Sequence, residues 1–313
     1  MDLTTTFLGY RLAHPLVALI ESDLDVGNLL ACEEDGAAAI LVPFMHDANT
    51  PLEDVARAQV FDLGVDAHPE AADYFPFASL TEELFVNSLD AIHAASTRAG
   101  IPIFVSLRGA EEGIMLQTAM DLEEAGASAI ELDLQHPLTQ PEESGPTMER
   151  RMLELVQRIV GRVRIPVAVR MHAHFTSPSY LALQLAQAGA SGVVLGERYS
   201  GVDIDLASLV PVSICQTAEA RDPGFNLAWL ASLHARSGTS LAVVERNFNS
   251  AMLIKYLLAG ANAVAVPWAS EQRRGGYLKK TLGELENWMG GQNVQTLARI
   301  RGALSHVLAN EAS

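Results

Sequence analysis

The stretch IPVAVRMHAHF, residues 165–175, runs from five almost wholly apolar residues into Arg170, His172 and His174. Side chains two apart on a strand share a face. A guanidinium and two imidazoles would therefore leave the end of one buried strand on the same side. Such groups can hold an anion, move a proton near neutral pH or bind a metal ion. Further residues of this kind close other apolar runs: Glu21 and Asp23; His46; Arg108; Glu131 and Asp133 with His136; Glu197 and Arg198; Glu245, Arg246 and Asn247.

Three chemistries compete for this set. Arg108, Arg170, Arg198 and Arg246 could clamp a carboxylate or phosphate by bidentate contacts. The same arginines could instead neutralise the acids as an ion-pair plug, since structural pairs mimic functional sites. An arginine at the end of a buried strand needs one or the other. For Arg170 the alternatives are an anion pocket, or a pair with Glu131, Asp133 or another acid nearby. A metal-dependent enzyme using His172 and His174 is the third reading. The arginines around those histidines speak against a bound cation.

The elements that would position these groups follow a rhythm. EEDGAAAILV (33–42), EEAGASAIEL (123–132), AQAGASGVVL (186–195) and LLAGANAVAV (257–266) each read as a helix end, a glycine and a short apolar strand. Glycine just past a helix is a favoured C-terminal cap. With HPLVALI, GIPIFVSL, IPVAVRM and TSLAVV, eight strands are expected at about 15–20, 37–43, 101–107, 128–134, 165–171, 190–196, 240–244 and 262–267. Helical patterns separate them, among them 111–125, 148–162, 178–188 and 248–259. Near-continuous apolar strands suit a parallel sheet covered on both faces. Eight such units predict a single α/β domain over residues 1–313, a (β/α)8 TIM barrel with two C-terminal closing helices. DLASLVPVSIC (205–215) is a further strand candidate, and 44–80 reads as an excursion or lid. The C-terminal ends of barrel strands form the mouth where sites are built, and the polar residues above all fall there.

Composition narrows the partners. A net charge of −17 disfavours nucleic acid and anionic membranes. No apolar run approaches the roughly 20 residues of a membrane span. MDLTTTFLGY lacks the basic start and apolar stretch of a secretory signal, and two cysteines are too few for a disulfide framework. A cytoplasmic protein is expected.

The chain also resembles a known family. MDLTTTFLGYRLAHPLVAL, AIELDL, IPVAVRM, LLAGANAVAV and GYLKKTLGELENWM are similar, in order, to segments of the dihydroorotate dehydrogenase-like FMN-binding barrels. The resemblance implies a short N-terminal strand pair leading into the barrel, FMN over the mouth, and self-association as a homodimer or within a larger redox assembly. On that reading Arg170 stands where the family has a lysine beside the flavin. Asp133 stands for an asparagine, and His136 lies where some members carry the catalytic base. Arg108, Glu197, Arg198, Arg246 and Asn247 would surround the cofactor. The departures are concentrated at the flavin phosphate, where the family uses glycine-rich turns. VVERNF (243–248) places Glu245 there, and VPWAS (266–270) places Pro267 and the bulky Trp268. Proline has no N–H to offer an anion. The expected function is thus a diverged ligand-binding or partner protein without flavin redox activity, a pseudoenzyme. The alternative is an active FMN oxidoreductase with His136 as base.

Overall fold

The computed structural model describes residues 1–20, 25–45, 77–109, 112–134, 143–172, 175–196, 198–205, 210–217, 223–246, 248–268 and 276–311. A hairpin comes first, β1 (Thr5–Phe7) and β2 (Tyr10–Leu12). Then β3 (Leu16–Leu19), β4 (Ala39–Met45), β5 (Ile103–Arg108), β6 (Ala129–Asp133), β7 (Val167–Met171), β8 (Gly192–Leu195), β11 (Ser240–Val244) and β12 (Ala263–Pro267) close an eight-stranded parallel barrel. All eight expected barrel strands are present. β11 joins β8 on one side and β12 on the other, and β12 returns to β3.

Helices α1 (Val26–Glu34), α2 (Phe77–Arg98), α3 (Glu112–Glu124), α4 (Gly145–Val160), α5 (Pro178–Gln187), α6 (Pro223–His234), α7 (Ser250–Ala259), α8 (Tyr277–Gly291) and α9 (Ser305–Glu311) accompany the strands. Local sequence sets their ends. Ser144 accepts from the Thr147 N–H ahead of α4, and Asn249 accepts from the Met252 N–H ahead of α7. The glycine of the repeated segments takes a left-handed turn, with φ of 102° at Gly189, which only glycine adopts cheaply. No helix among the described residues is long and apolar enough to cross a membrane.

The 205–215 candidate is a strand, but not of the barrel. β10 (Val210–Thr217) pairs antiparallel with β9 (Arg198–Asp205) in a separate two-stranded sheet. RYSGVDID has no apolar run to announce β9. Most of the expected 44–80 excursion lies outside the described residues.

Alternation along the strands divides the core in two. One set of side chains, such as Ile40, Val105, Leu132, Val169 and Val243, packs outward with the helices. The other set points inward and mixes Val17, Leu41, Phe104 and Val194 with many alanines, Ala39, Ala129, Ala168, Ala242, Ala263 and Ala265. The hairpin fills the space these leave at the N-terminal end. Phe7 meets Phe104 edge-on at 5.6 Å. Leu8 inserts beside Gly192, where a Cβ would lie 2.5 Å from the Leu8 side chain. Asn262 accepts from the Leu241 N–H at 2.9 Å and donates to the Thr6 carbonyl at 2.8 Å. This end is therefore shut by packing, and the opposite end is left for chemistry.

Candidate functional site

The inward positions of β5, β6 and β7 change character toward the mouth. Phe104 and Ala129 form one layer, Ser106, Glu131 and Ala168 come next, and Arg108, Asp133 and Arg170 stand in register above them. Arg108 is bound to Asp133 through Nη2 at 2.6 Å and Nε at 3.2 Å. Arg170 reaches down instead, and its Nη2 lies 2.6 Å from Glu131 Oε1. The Ser106 hydroxyl donates to the same oxygen at 2.7 Å. Glu131 and Arg170 are both buried.

Burial pushes the Glu131 carboxyl above its ordinary range, against the opposing pull of Arg170 and Ser106. Burial also works against the Arg170 charge, but Glu131 and Asp133 more than offset it and keep it cationic. The pair is short yet poorly directed. Neither Nε nor Nη2 of Arg170 makes a hydrogen bond, although both atoms are buried. Of the alternatives the sequence leaves for Arg170, the structure therefore shows a buried pair, with Glu131.

Two expectations about neighbouring residues are corrected. Glu245 does not bring its charge toward the mouth: its carboxylate accepts from the Tyr256 hydroxyl of α7 at 2.5 Å. Residue 245 follows the inward-facing Val244 and so turns to the helix layer. Burial, with the Glu245 bond, raises the Tyr256 pKa. Trp268 likewise adds no bulk to the mouth, because its indole N–H donates to Asp35 at 3.0 Å, beyond the C-terminal end of α1. Asp35 also accepts from the Gly276 N–H at 2.8 Å. Arg246, next in the alternation after Ala242 and Val244, is half-buried, and burial lowers its pKa.

Glu21, Asp23, His46, His136, His174, Glu197 and Asn247 lie outside the described residues. Arg198 opens β9, opposite Thr217. The His172 ring stacks on Phe175, with centroids 4.8 Å apart and planes within 12°. Among the described residues no three histidine, cysteine or carboxylate side chains are grouped to hold a metal ion. Residue types at strand ends do not disclose Ser106, Tyr256 or Asp35. Ser106 was within reach of the two-residue period that links it to Arg108; the other two belong to contacts between distant segments.

The catalytic subunit of dihydroorotate dehydrogenase B (NAD(+)) from Endomicrobium trichonymphae is 25% identical over 227 residues, covering 67% of this chain and 69% of that one. Dihydroorotate dehydrogenase A (fumarate) from Limosilactobacillus reuteri is 27% identical over 183 residues, 54% of this chain and 57% of that one. The chain thus has weak sequence similarity to dihydroorotate dehydrogenases. No family profile matches it. Among solved structures, a single-residue variant of mandelate oxidase superposes with a TM-score of 0.59 over 96% of this chain and 82% of that one, at 14% identity. Another structure of the variant carries a monooxide FMN adduct. At that identity the likeness concerns the barrel fold.

The resemblance to FMN barrels would set a flavin phosphate at the ends of β11 and β12, against backbone N–H groups. There the Glu245 N–H donates to the Ala265 carbonyl at 2.9 Å and the Trp268 N–H to the Leu19 carbonyl at 2.9 Å. Pro267 has no N–H. At these two described positions the backbone donors are committed to the sheet. Arg246 is the described group there that could meet an anion through its side chain.

Proposed function

We propose that the protein is a dihydroorotate dehydrogenase-like barrel that takes a small organic anion at its mouth and does so without the flavin redox chemistry of its relatives. One observation carries this reading: Arg170, the residue in the flavin-side lysine position, is drawn 2.6 Å from Glu131 inside the barrel. A lysine at the mouth can serve a flavin directly. An arginine held by a buried acid is first of all part of the core. Arg108 and Arg246 stand with Arg170 at inward-facing strand positions, and guanidinium groups suit a carboxylate or phosphate.

A second reading is an FMN-dependent oxidoreductase, with His136 as the proton acceptor. The sequence likeness to two dihydroorotate dehydrogenases favours it. If FMN binds, it supplies the hydride chemistry. Arg170 would then hold negative charge beside the ring and Arg246 would meet the phosphate.

The visible absorbance of freshly purified protein separates the two, repeated after excess FMN and desalting. A colourless protein that releases added FMN is expected. A retained flavin spectrum overturns the first reading in favour of the second.

A further inference from the structure

The Arg170–Glu131 pair combines a short distance with unused donors. Nε and Nη2 lie along one edge of the guanidinium, the edge that two oxygens of a carboxylate or a sulfate-like oxyanion fit. Both are buried and without a hydrogen bond, although Nη2 approaches Glu131 to 2.6 Å. An unmet buried donor is costly, and more so on a charged group. This arrangement is poised to exchange Glu131 for a better acceptor.

The register supplies the route. Asp133, not Glu131, stands opposite Arg170, one layer nearer the mouth, and Arg108 already neutralises it. A guanidinium rising from Glu131 thus arrives beside a satisfied pair and brings its positive charge to the mouth. Glu131 is left with the Ser106 hydroxyl and, of charged groups, Asp133 above it. The other strands and the hairpin present it with apolar side chains, among them Val17, Leu41, Val194, Ala242 and Phe7, around a void of about 20 Å³. That void holds about one water molecule. A carboxylate with no cation in such a place is driven toward its neutral form, because burial disfavours the charge.

We propose that an anion entering the mouth draws Arg170 off Glu131, and that Glu131 takes up one proton from solvent as it is left. The inference rests on the anion-binding reading. Binding is then proton-linked: affinity rises about tenfold for each pH unit of acidification, over the range in which the released carboxyl is protonated and the paired one is not.

The test is calorimetric titration of the intact protein near neutral pH with fumarate and with sulfate, anions that do not titrate there, in two buffers of different protonation enthalpy. About one proton is taken up per anion bound, and a protonated-carboxyl C=O band appears in the infrared difference spectrum. Glu131→Gln binds the anions without proton uptake. Because that variant leaves Arg170 without its counter-charge and can fail to fold, the infrared band on the unaltered protein stands as the second measurement. Binding with neither proton uptake nor the band overturns the inference and leaves the anion site standing. Failure of both anions to bind overturns the anion reading and this inference together.

Discussion

Arg170 is paired in the β7–β6 ladder with Asp133, yet its guanidinium lies 2.6 Å from Glu131, one layer deeper in the barrel. The deeper layer offers space because alanines line the interior below it, and Asp133 is already held by Arg108. Position on the strand and choice of partner are thus decided separately.

Removing one half of that pair should be costly. Arg170→Ala leaves Glu131 buried without its cation, and a loss of about 3–5 kcal/mol is expected in urea unfolding. Replacing both partners together, Arg170→Met with Glu131→Met, should recover most of it. A double variant as unstable as Arg170→Ala would show that packing, not the uncompensated charge, sets the loss.

The closed end depends on Asn262. Asn262→Ala strips a partner from the Leu241 N–H and from the Thr6 carbonyl. The Leu241 N–H is buried, and such a donor left unmet costs about 1–3 kcal/mol, so a loss of about that size is expected, read as a lower urea midpoint. A change under about 0.5 kcal/mol, the size of an ordinary surface substitution, would mean that the hairpin is held by its other contacts, the packing of Phe7 and Leu8 and the hydrogen bonds of Thr5, Leu8 and Tyr10.

Gly192 makes room for the same hairpin. An added Cβ lies 2.5 Å from the Leu8 side chain and 3.1 Å from the Ser240 carbonyl oxygen, which is backbone and cannot yield easily. Gly192→Ala should lower stability by about 1–3 kcal/mol. Gly192→Ala with Leu8→Ala should suffer less from the clash than the sum of the two single changes. Simple additivity in a double-mutant cycle would exclude that contact as the cause.

Stability should fall on acidification. Burial depresses the His14 pKa below its ordinary 6.5, against the opposing bond to the Gly36 carbonyl. Its Nε2 lies 2.8 Å from that carbonyl oxygen, and its Nδ1 accepts from the Leu16 N–H at 3.3 Å. His234 is lowered in the same direction, by burial and then by Arg301. The unfolded chain binds these protons first. The contribution is therefore complete above the unfolded pKa and is lost as pH falls through it toward the folded value. Urea unfolding followed downward from neutral pH should show this slope, and His14→Gln should reduce it. An unchanged slope would remove His14 from the account.

The barrel was legible because its signals are local. A helix end, a glycine and a short apolar run recur along the chain, and each repeat needs only near neighbours to declare a helix cap and a strand. The hairpin β9–β10 was half-legible. VPVSICQT carries an apolar signal, whereas RYSGVDID pairs through its backbone and has none. Ser106 and Glu131 could be placed on one face by strand periodicity, but periodicity does not say that they share an oxygen.

From the sequence alone came the strand order in the chain, the inward face of β5, β6 and β7, and the gathering of arginines and acids at one end. Those properties depend on residue spacing and backbone geometry. Tertiary structure decided which acid each arginine meets, since that turns on the depth available beneath Arg170 and on Arg108 having claimed Asp133. It also turned Glu245 to Tyr256 and Trp268 to Asp35. Both contacts join a strand end to a helix or helix end of the surrounding layer, and only the closed barrel brings those groups within reach.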